Sequence, residues 1–543
     1  MTDPASATKI ERRDHVLLLK TGIRQIEERS LTALPQGTLM ARAAAALADV
    51  CARQLRRLPA GTPVLALCGP GNNGGDALLA AMLLADRGWR VAAITLLSDE
   101  PSGVDARRIR QAWCDRGWSM SAAGDLPLLL VDCPLVIDGL FGIGLTRELP
   151  AAAGLIAQQL ARSPAWVVAV DVPSGLDADR GCIVGPPGSF AIRADVTVTM
   201  IADKPGLHTG DACLLAGQVI VADLELLPST QEAMRRVDQG RLIDRDAVSG
   251  LVPRRSRDSH KGRFGDVLVM VGQAQMAGAA LLAALGAQAV GAGRIYLGSQ
   301  DGFADRAGHP ELMTRVLRLD EADAQRALGA ATVIVAGCGL GTDAQSRRKL
   351  ALALVHRAAL VLDADGLNIV AGDPQMLSLL QARAAAGLPT VLTPHPLEAA
   401  RLLGVTTAEI QQDRRCMALK LAAITGSIVV LKGAGSVVAC PDGDWSINCS
   451  GGPILSVAGT GDVLAGAIAG LLASSLSQGQ TDADRQAILF AELTRLGVWI
   501  HGDAGDALAV ALDERALHVA ALDRCNRAAE PFDMRQLAHR ALL

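Results

Sequence analysis

Along the chain, short apolar runs that end in a polar or Gly-rich step alternate with longer stretches whose apolar residues recur at helical spacing. From residue 63 this alternation reads as strand PVLALC, a Gly-rich loop, helix DALLAAMLLADRG and strand RVAAITLL, a βαβ unit by period and length. Further strands are predicted at PLVID (134–138), AWVVAVD (165–171) and ADVTVTMI (194–201), while residues 10–60 read as helices that cover the sheet.

Between 225 and 258 the strand rhythm is lost and charge takes over, as in QEAMRRVDQGRLIDRD. A second series then begins: DVLVMVG (266–272), RIYLG (294–298), TVIVAG (332–337), ALVLDAD (359–365), TVLTP (390–394) and SIVVLKG (427–433), with Ala/Leu-rich helical segments between. The same βα order is used twice without a repeat at the sequence level. This predicts an α/β domain over 1–225, a linker over 226–244, a second α/β domain over 245–513 and an Arg- and Ala-rich appendage over 514–543.

Composition sharpens the picture. Half of the 543 residues are apolar but only 2% are aromatic, so the cores must be built from Leu, Val, Ile and Ala, which suits parallel strands covered by helices. A net charge of −4 offers no general attraction to nucleic acid or to an anionic membrane, and neither is expected as a partner. The eleven cysteines form no CxxC pair and MTDPASATKIERRD lacks the form of a signal peptide, so a reduced, cytoplasmic setting is expected. Apolar runs such as VLAGAIAGLLA (463–473) fall short of the ~20 residues that span a bilayer.

In an open parallel sheet, ligands bind beyond the carboxyl ends of the strands. Asp76, Asp138 and Asp171 all lie there. Each alone is as readily a helix cap or a turn residue, but three at equivalent ends are more informative. The loop GPGNNGGD (69–76) carries Gly69, Gly71 and Gly74 at the spacing of a dinucleotide fingerprint and presents backbone N–H groups at a helix start. That fingerprint wants an acidic residue about 20 positions on; Asp99 and Glu100 match loosely. Asn72 and Asn73 add amide oxygens that hydride transfer does not require, and with Asp138 and Ser174 they make an all-oxygen cage for a monovalent or hard cation. FGIGLTRE (141–148) is a second Gly-rich anion loop.

In the second half, AGTGDVLAGAIAGLLA has small residues opening an apolar helix, so the N–H groups of Gly459, Thr460 and Gly461 can face an anion. Asp462 is either a catalytic carboxylate or an N-terminal cap. VLDADGLN places Asp363 and Asp365 at a strand end, VLTPHPLEAARLLG sets His395 between prolines, and VVLKGAGSVVA puts Lys432 before a Gly-rich turn. A strand-end carboxylate beside an anion-binding helix start suits phosphoryl transfer to a hydroxyl.

GPGNNGGD, DGLFGIGLTRELP, AVDVPSGLDADRG and ADVTVTMIADKPGL, in this order over about 20–222, resemble the NAD(P)H-hydrate epimerase domain. HKGRFGDVLVMVG, VLDADGLN, VLTPHPLEAARLLG, VVLKGAGSVVA and AGTGDVLAG over about 245–513 resemble the ADP/ATP-dependent NAD(P)H-hydrate dehydratase domain. The resemblance implies a Rossmann-like three-layer α/β sandwich followed by a ribokinase-like α/β domain. It implies epimerisation of NADHX and NADPHX, reduced cofactors hydrated at the six-position of the nicotinamide, and dehydration of the S epimer to NAD(P)H with ADP (giving AMP and phosphate) or ATP.

Carried over by residue, Asn72, Asn73, Gly74, Gly75 and Asp76, the loop Gly142, Ile143, Gly144, Leu145, Thr146, Arg147 and Glu148, and Asp171 bind the epimerase substrate. Asp171 is the implied acid/base group, and Asn73, Asp138 and Ser174 hold K+. In the dehydratase half, Ala279, Gly339, Gly341, His395 and Asp462 line the substrate site, with Asp462 as base on the hydroxyl. Lys432, Gly433, Ala434, Gly435 and Ser436 bind the nucleotide with Gly459, Thr460 and Gly461, Mg2+ bridging the phosphates. A homo-oligomer is expected.

Three positions depart from the pattern of the resemblance: Ala77 for Gly, Cys338 for Pro and Gly452 for Asn. Ala77 is tolerable in a residue already helical, Cys338 reads as a small-residue swap, and Gly452 forgoes a nucleotide contact. The competing reading is a ribokinase-like small-molecule kinase with a regulatory or scaffolding N-terminal domain. His208, His260 and His309 lack metal-ligand spacing and read as surface or structural, and Cys51, Cys68, Cys133 and Cys182 as packing residues.

Overall fold

The computed structural model describes residues 15–512 apart from 60, 97–100, 133, 227–238, 253–254, 273, 301–307, 318–327, 330 and 478–482. Asp99, Glu100, Cys133, most of the 226–244 segment and the 514–543 appendage lie outside the described residues. The contacts divide the chain into a unit Val16–Gly240 and a unit that takes in His15 and the chain from Arg241 onward.

In the first unit the predicted apolar runs are strands β1 (Val64–Cys68), β2 (Val91–Thr95), β4 (Leu135–Gly139), β5 (Trp166–Val170) and β6 (Val196–Met200), and two strands that the pattern does not announce, β3 (Ser121–Ala122) and β7 (Gln218–Ala222), extend the edges. They pair in parallel in the order β3-β2-β1-β4-β5-β6-β7. Because side chains alternate along a strand, β1 sends Val64, Ala66 and Cys68 into one core and Leu65 and Leu67 into the other. The first core is closed by helices α1 (Lys20–Ala33), α2 (Thr38–Leu55), α3 (Asn72–Asp86) and α4 (Val104–Asp115), the second by α5 (Ala151–Leu160). This is the expected three-layer sandwich. The strand order reverses between β1 and β4, where the connections diverge and leave a crevice.

The second unit repeats the logic with β8 (Gln239–Ile243), β9 (Asp266–Met270), β10 (Arg294–Ser299), β11 (Met313–Val316), β12 (Val333–Ala336), β13 (Ala359–Leu362), β14 (Thr390–Leu392), β15 (Ile428–Leu431), β16 (Val437–Ala439) and β17 (Trp445–Asn448). Their order is β8-β17-β16-β15-β14-β13-β12-β9-β10-β11. Among these strands, β16 alone runs antiparallel to its neighbours. Five helices matter to the site: α6 (Ala277–Ala289), α7 (Pro396–Leu403), α8 (Arg414–Thr425), α9 (Thr460–Leu476) and α10 (Ala483–Leu512).

Helices α6 and α9 meet backbone to backbone. A Cβ on Gly466 would fall 1.9 Å from the Ala283 carbonyl oxygen, and one on Gly286 2.3 Å from that of Val463. Such contact is the counterpart of a sequence poor in aromatic residues: small side chains close the gap by letting the backbones approach. Among the described residues no helix is long and apolar enough to cross a membrane.

Candidate active sites

A cavity of about 560 Å3 opens at the β1/β4 crevice, and Asn72, Asn73, Asp76, Asp171 and the loop Gly142–Arg147 line it. The loop after β1 presses against the loop after β4 so tightly that a Cβ on Gly69 would sit 1.7 Å from the Leu140 carbonyl oxygen. The turn then enters α3 directly, so Asn72 to Gly75 are its first turn and Ala77 is already helical and buried. Gly74 and Gly75 serve packing: their Cβ atoms would strike Gly69 O at 2.2 Å and Met40 Cε at 2.7 Å. Glu148 does not join the cavity; it lines a separate surface depression with Pro186 to Phe190.

Asp171 ends β5 in a left-handed conformation, φ 69°, rare for a residue with a side chain. Its Oδ1 accepts from Lys204 Nζ at 2.7 Å, Met200 N at 3.0 Å and Thr199 Oγ1 at 3.3 Å. Lys204 is fully buried, and its ammonium also donates to Thr199 Oγ1 at 2.6 Å and to the carbonyls of Met200 and Ala202. A buried ion pair persists when its remaining hydrogen bonds are satisfied, as here. Lys204 lies inside the quoted motif ADKPGL, yet nothing in local spacing links it to a carboxylate 33 residues upstream.

Behind the cavity wall, Asp138 is buried at the end of β4. Ser174 Oγ donates to its Oδ1 at 2.6 Å and Ser174 N to its Oδ2 at 2.8 Å. Burial pushes the carboxyl up to about 6, against the Ser174 hydrogen bonds that pull it down. Asn73 Nδ2 donates to Val170 O at 2.8 Å, and a Cβ on Gly142 would fall 2.4 Å from that same nitrogen. Glycine at 142 therefore leaves room for the Asn73 carboxamide.

In the second unit the site forms where β12, β13 and β15 end. Asp363, buried beyond β13, accepts from Lys432 Nζ at 2.7 Å. Burial alone would lower the Lys432 ammonium, but the Asp363 and Glu398 carboxylates outweigh it and the net shift is upward. Gly459, at φ 95°, turns the chain into α9, and a Cβ on Gly461 would lie 3.1 Å from Lys432 Nζ. The lysine thus sits beneath the helix start that carries Asp462. The Asp462 carboxyl is pushed up to about 6, first by burial and further by Asp363, against the Cys338 thiol, which hydrogen-bonds to it, and Lys432. Cys338 is therefore more than a small-residue swap: it is buried and touches the proposed base.

The remaining expected residues gather around this centre with different duties. Asp365 Oδ2 accepts from Gly341 N at 2.8 Å, tying the β12 loop to the β13 loop. Gly339, at φ 64°, abuts the Met276 carbonyl just before α6, which carries the half-buried Ala279. His395 caps α7, its Nδ1 accepting from Leu397 N at 3.1 Å and Glu398 N at 3.3 Å. Burial, with Lys432 nearby, holds that imidazole below its ordinary value, which suits an acceptor. Gly433 and Gly435 take φ of 135° and 61° in the turn after Lys432, and Ser436 Oγ donates to Gly433 O at 3.2 Å. Buried Arg414 on α8 donates to the Leu431 and Lys432 carbonyls at 3.2 Å each. Beside Gly452, Gly451 N donates to Asp506 Oδ2 at 2.8 Å.

The family model described as YjeF-related protein N-terminus matches residues 36–206, and the one described as NAD(P)H-hydrate dehydratase matches 267–522. The bifunctional NAD(P)H-hydrate repair enzyme of Coxiella burnetii is 33% identical over 506 residues, 91% of this chain and 96% of that protein. The chain belongs to the bifunctional NAD(P)H-hydrate repair enzyme family. The enzymes of Moorella thermoacetica and Escherichia coli are each 34% identical, covering 89% and 88% of this chain and 90% and 86% of their own. A solved structure of the ADP/ATP-dependent NAD(P)H-hydrate dehydratase from Bacillus subtilis, co-crystallised with ATP/Mg2+, aligns at 28% identity over 54% of this chain and 94% of that one, with a TM-score of 0.39.

Proposed function

We propose that the first site interconverts R- and S-NAD(P)HX and that the second dehydrates the S epimer to NAD(P)H, driven by ADP or ATP. The observation that carries the reading is the pair of carboxylates: Asp171, just beyond β5 in one cavity with the start of α3, and Asp462, in the first turn of the glycine-opened helix α9. In the first site Asp171 takes part in the proton transfer that lets the hydroxyl leave and return, Asn72 and Asn73 hold the substrate, and the loop Gly142–Arg147 receives the phosphates. In the second, Asp462 accepts the hydroxyl proton while the N–H groups of Gly459 to Gly461 and the Lys432–Ser436 turn hold the transferring phosphoryl group.

The K+ site fits: Asp138 is a buried carboxylate with hydrogen-bond donors but no cation partner among the described residues, and the Ser174 hydroxyl oxygen lies 2.6 Å from it. K+ there would neutralise Asp138 and fix the loops after β1 and β4. Asp363 and Asp462 lie within 4.8 Å of each other and of a thiol, a set too soft and, with Lys432 on Asp363, too neutralised for a dedicated Mg2+ cage. Mg2+ would come to this site as the companion of the nucleotide phosphates, with Asp462 the carboxylate available to meet it. Cytoplasmic placement and self-association belong to the same proposal.

The test is to give the pure protein mixed-epimer NADHX with ADP or ATP, following reduced cofactor and phosphate. Both epimers are expected to disappear. Consumption of the S fraction alone refutes the epimerase assignment, and a stable phosphorylated product without reduced cofactor supports the kinase reading instead.

A further inference from the structure

We infer that Asp76 is the proton donor of the epimerase site, working with Asp171 as its partner base. This deepens the epimerase reading and rests on it. Both carboxyl groups line the same cavity, but their surroundings are opposite. Asp171 is ion-paired with Lys204 and accepts a backbone N–H, so its negative charge is compensated where it stands. Asp76, one turn into α3 and 8% exposed, has no hydrogen-bond donor or cation on it among the described residues.

Its charged neighbours are acidic. Asp171 faces it from the end of β5, Glu27 from α1 and Asp105 from α4, and one Asp105 oxygen is itself buried without a partner. Helix α2 offers only Leu39, Met40 and Ala43 to this wall. The cations in the neighbourhood are committed or remote: Lys204 is on Asp171, Arg24 acts on Glu27, and Arg147 is on the exposed phosphate loop. Burial first, and then Asp171, Glu27 and Asp105, raise the Asp76 carboxyl well above the ordinary carboxylate range, so its protonated form is favoured more than that of an exposed carboxyl. Two carboxyl groups driven apart in this way are the arrangement of an acid and a base in one site.

The step balances without another reagent. The C6–O bond of the hydrate breaks with its electron pair on oxygen, the hydroxyl takes the Asp76 proton and leaves as water, and the N1 lone pair closes a C6=N1 bond. Water then adds to the opposite face of C6, the C6=N1 pair returns to N1, and the surplus proton goes to Asp171. One proton has moved from Asp76 to Asp171; the reverse turnover, or exchange with solvent, restores it.

The experiment uses the full-length protein with K+ and nucleotide, so that the C-terminal site consumes S-NADHX at once and the slower phase reports epimerisation of R. Asp76→Asn keeps the shape and loses the proton: the slow phase is expected to fall about 100- to 10,000-fold, in kcat rather than KM, with the fast phase unchanged as a check on folding. Wild-type epimerisation should decline as pH rises past the Asp76 ionisation, whereas the Asp76→Asn remainder should be flat. Asp76→Glu should recover more rate than Asp76→Asn. An Asp76→Asn rate within a few-fold of wild type, a loss confined to KM, or a larger loss in Glu27→Gln overturns the assignment. Wild type that never consumes the R epimer above its spontaneous rate overturns the epimerase reading itself, and the proton donor with it.

Discussion

At the scale of single residues, the two sites solve one problem in different ways. A carboxylate must be kept reactive away from bulk water. Asp171 is held by a buried lysine and a strained backbone, whereas for Asp462 burial outweighs the help of Cys338 and Lys432 and the carboxyl is pushed up to about 6. A base works only when ionised, and a raised value means the ionised fraction grows as pH climbs through about 6 and is lost below it. Dehydratase kcat/KM should therefore fall roughly tenfold per pH unit on the acid side and level off above. Cys338→Ala removes a donor that favours the ionised form, so the acid limb should move to higher pH, and Cys338→Ser should restore much of it. A limb that does not move in pH–rate profiles of these variants shows that the thiol is irrelevant to the base. The carboxylates, glycines and asparagines of the sites are legible in the sequence because each sits in a contiguous motif at a strand end. Lys204, Arg414 and the thiol contact are not, since an ion pair or loop tether between segments far apart in the chain leaves no local spacing to read.

At the scale of elements, the strand rhythm announces most of the sheet, and the exceptions have physical causes. β7 is a partly exposed edge strand, and β16 and β17 form a short antiparallel pair behind a glycine turn, so none shows the dense apolar run of a central parallel strand. The helix pattern marks α6 and α9 as apolar but not as partners. Their union depends on Gly286, Gly466 and Gly470, where a Cβ would fall within 2.5 Å of a facing carbonyl oxygen. Gly466→Ala adds helix propensity worth up to about 1 kcal/mol, yet the backbone it meets cannot rotate away. Overpacking by about 1–3 kcal/mol should win. The urea midpoint for loss of dehydratase activity is expected to drop, while that for the epimerase, measured in the same tube, stays put. An unchanged or higher dehydratase midpoint would show that the helices separate at little cost.

At the scale of the molecule, each candidate site draws its residues from one compact unit. The cavity residues around Asp171 all fall within Val16–Gly240, and those around Asp462 all follow Arg241. Neither constellation needs a side chain from the other unit. The intermediate common to both, the S epimer, can then travel through solution. Two inactive full-length proteins test this: Asp171→Asn, which should yield reduced cofactor from the S fraction alone, and Asp462→Asn, which should yield none. Mixed, they should convert both epimers at the rate set by the slower site, with no dependence on which chain carries which lesion. A mixture that leaves the R fraction at its spontaneous rate, although wild type consumes it, would mean that epimerised substrate reaches the second site only within one molecule. Fusion would then serve transfer, whereas recovery of full conversion means that it only keeps the two activities in equal number.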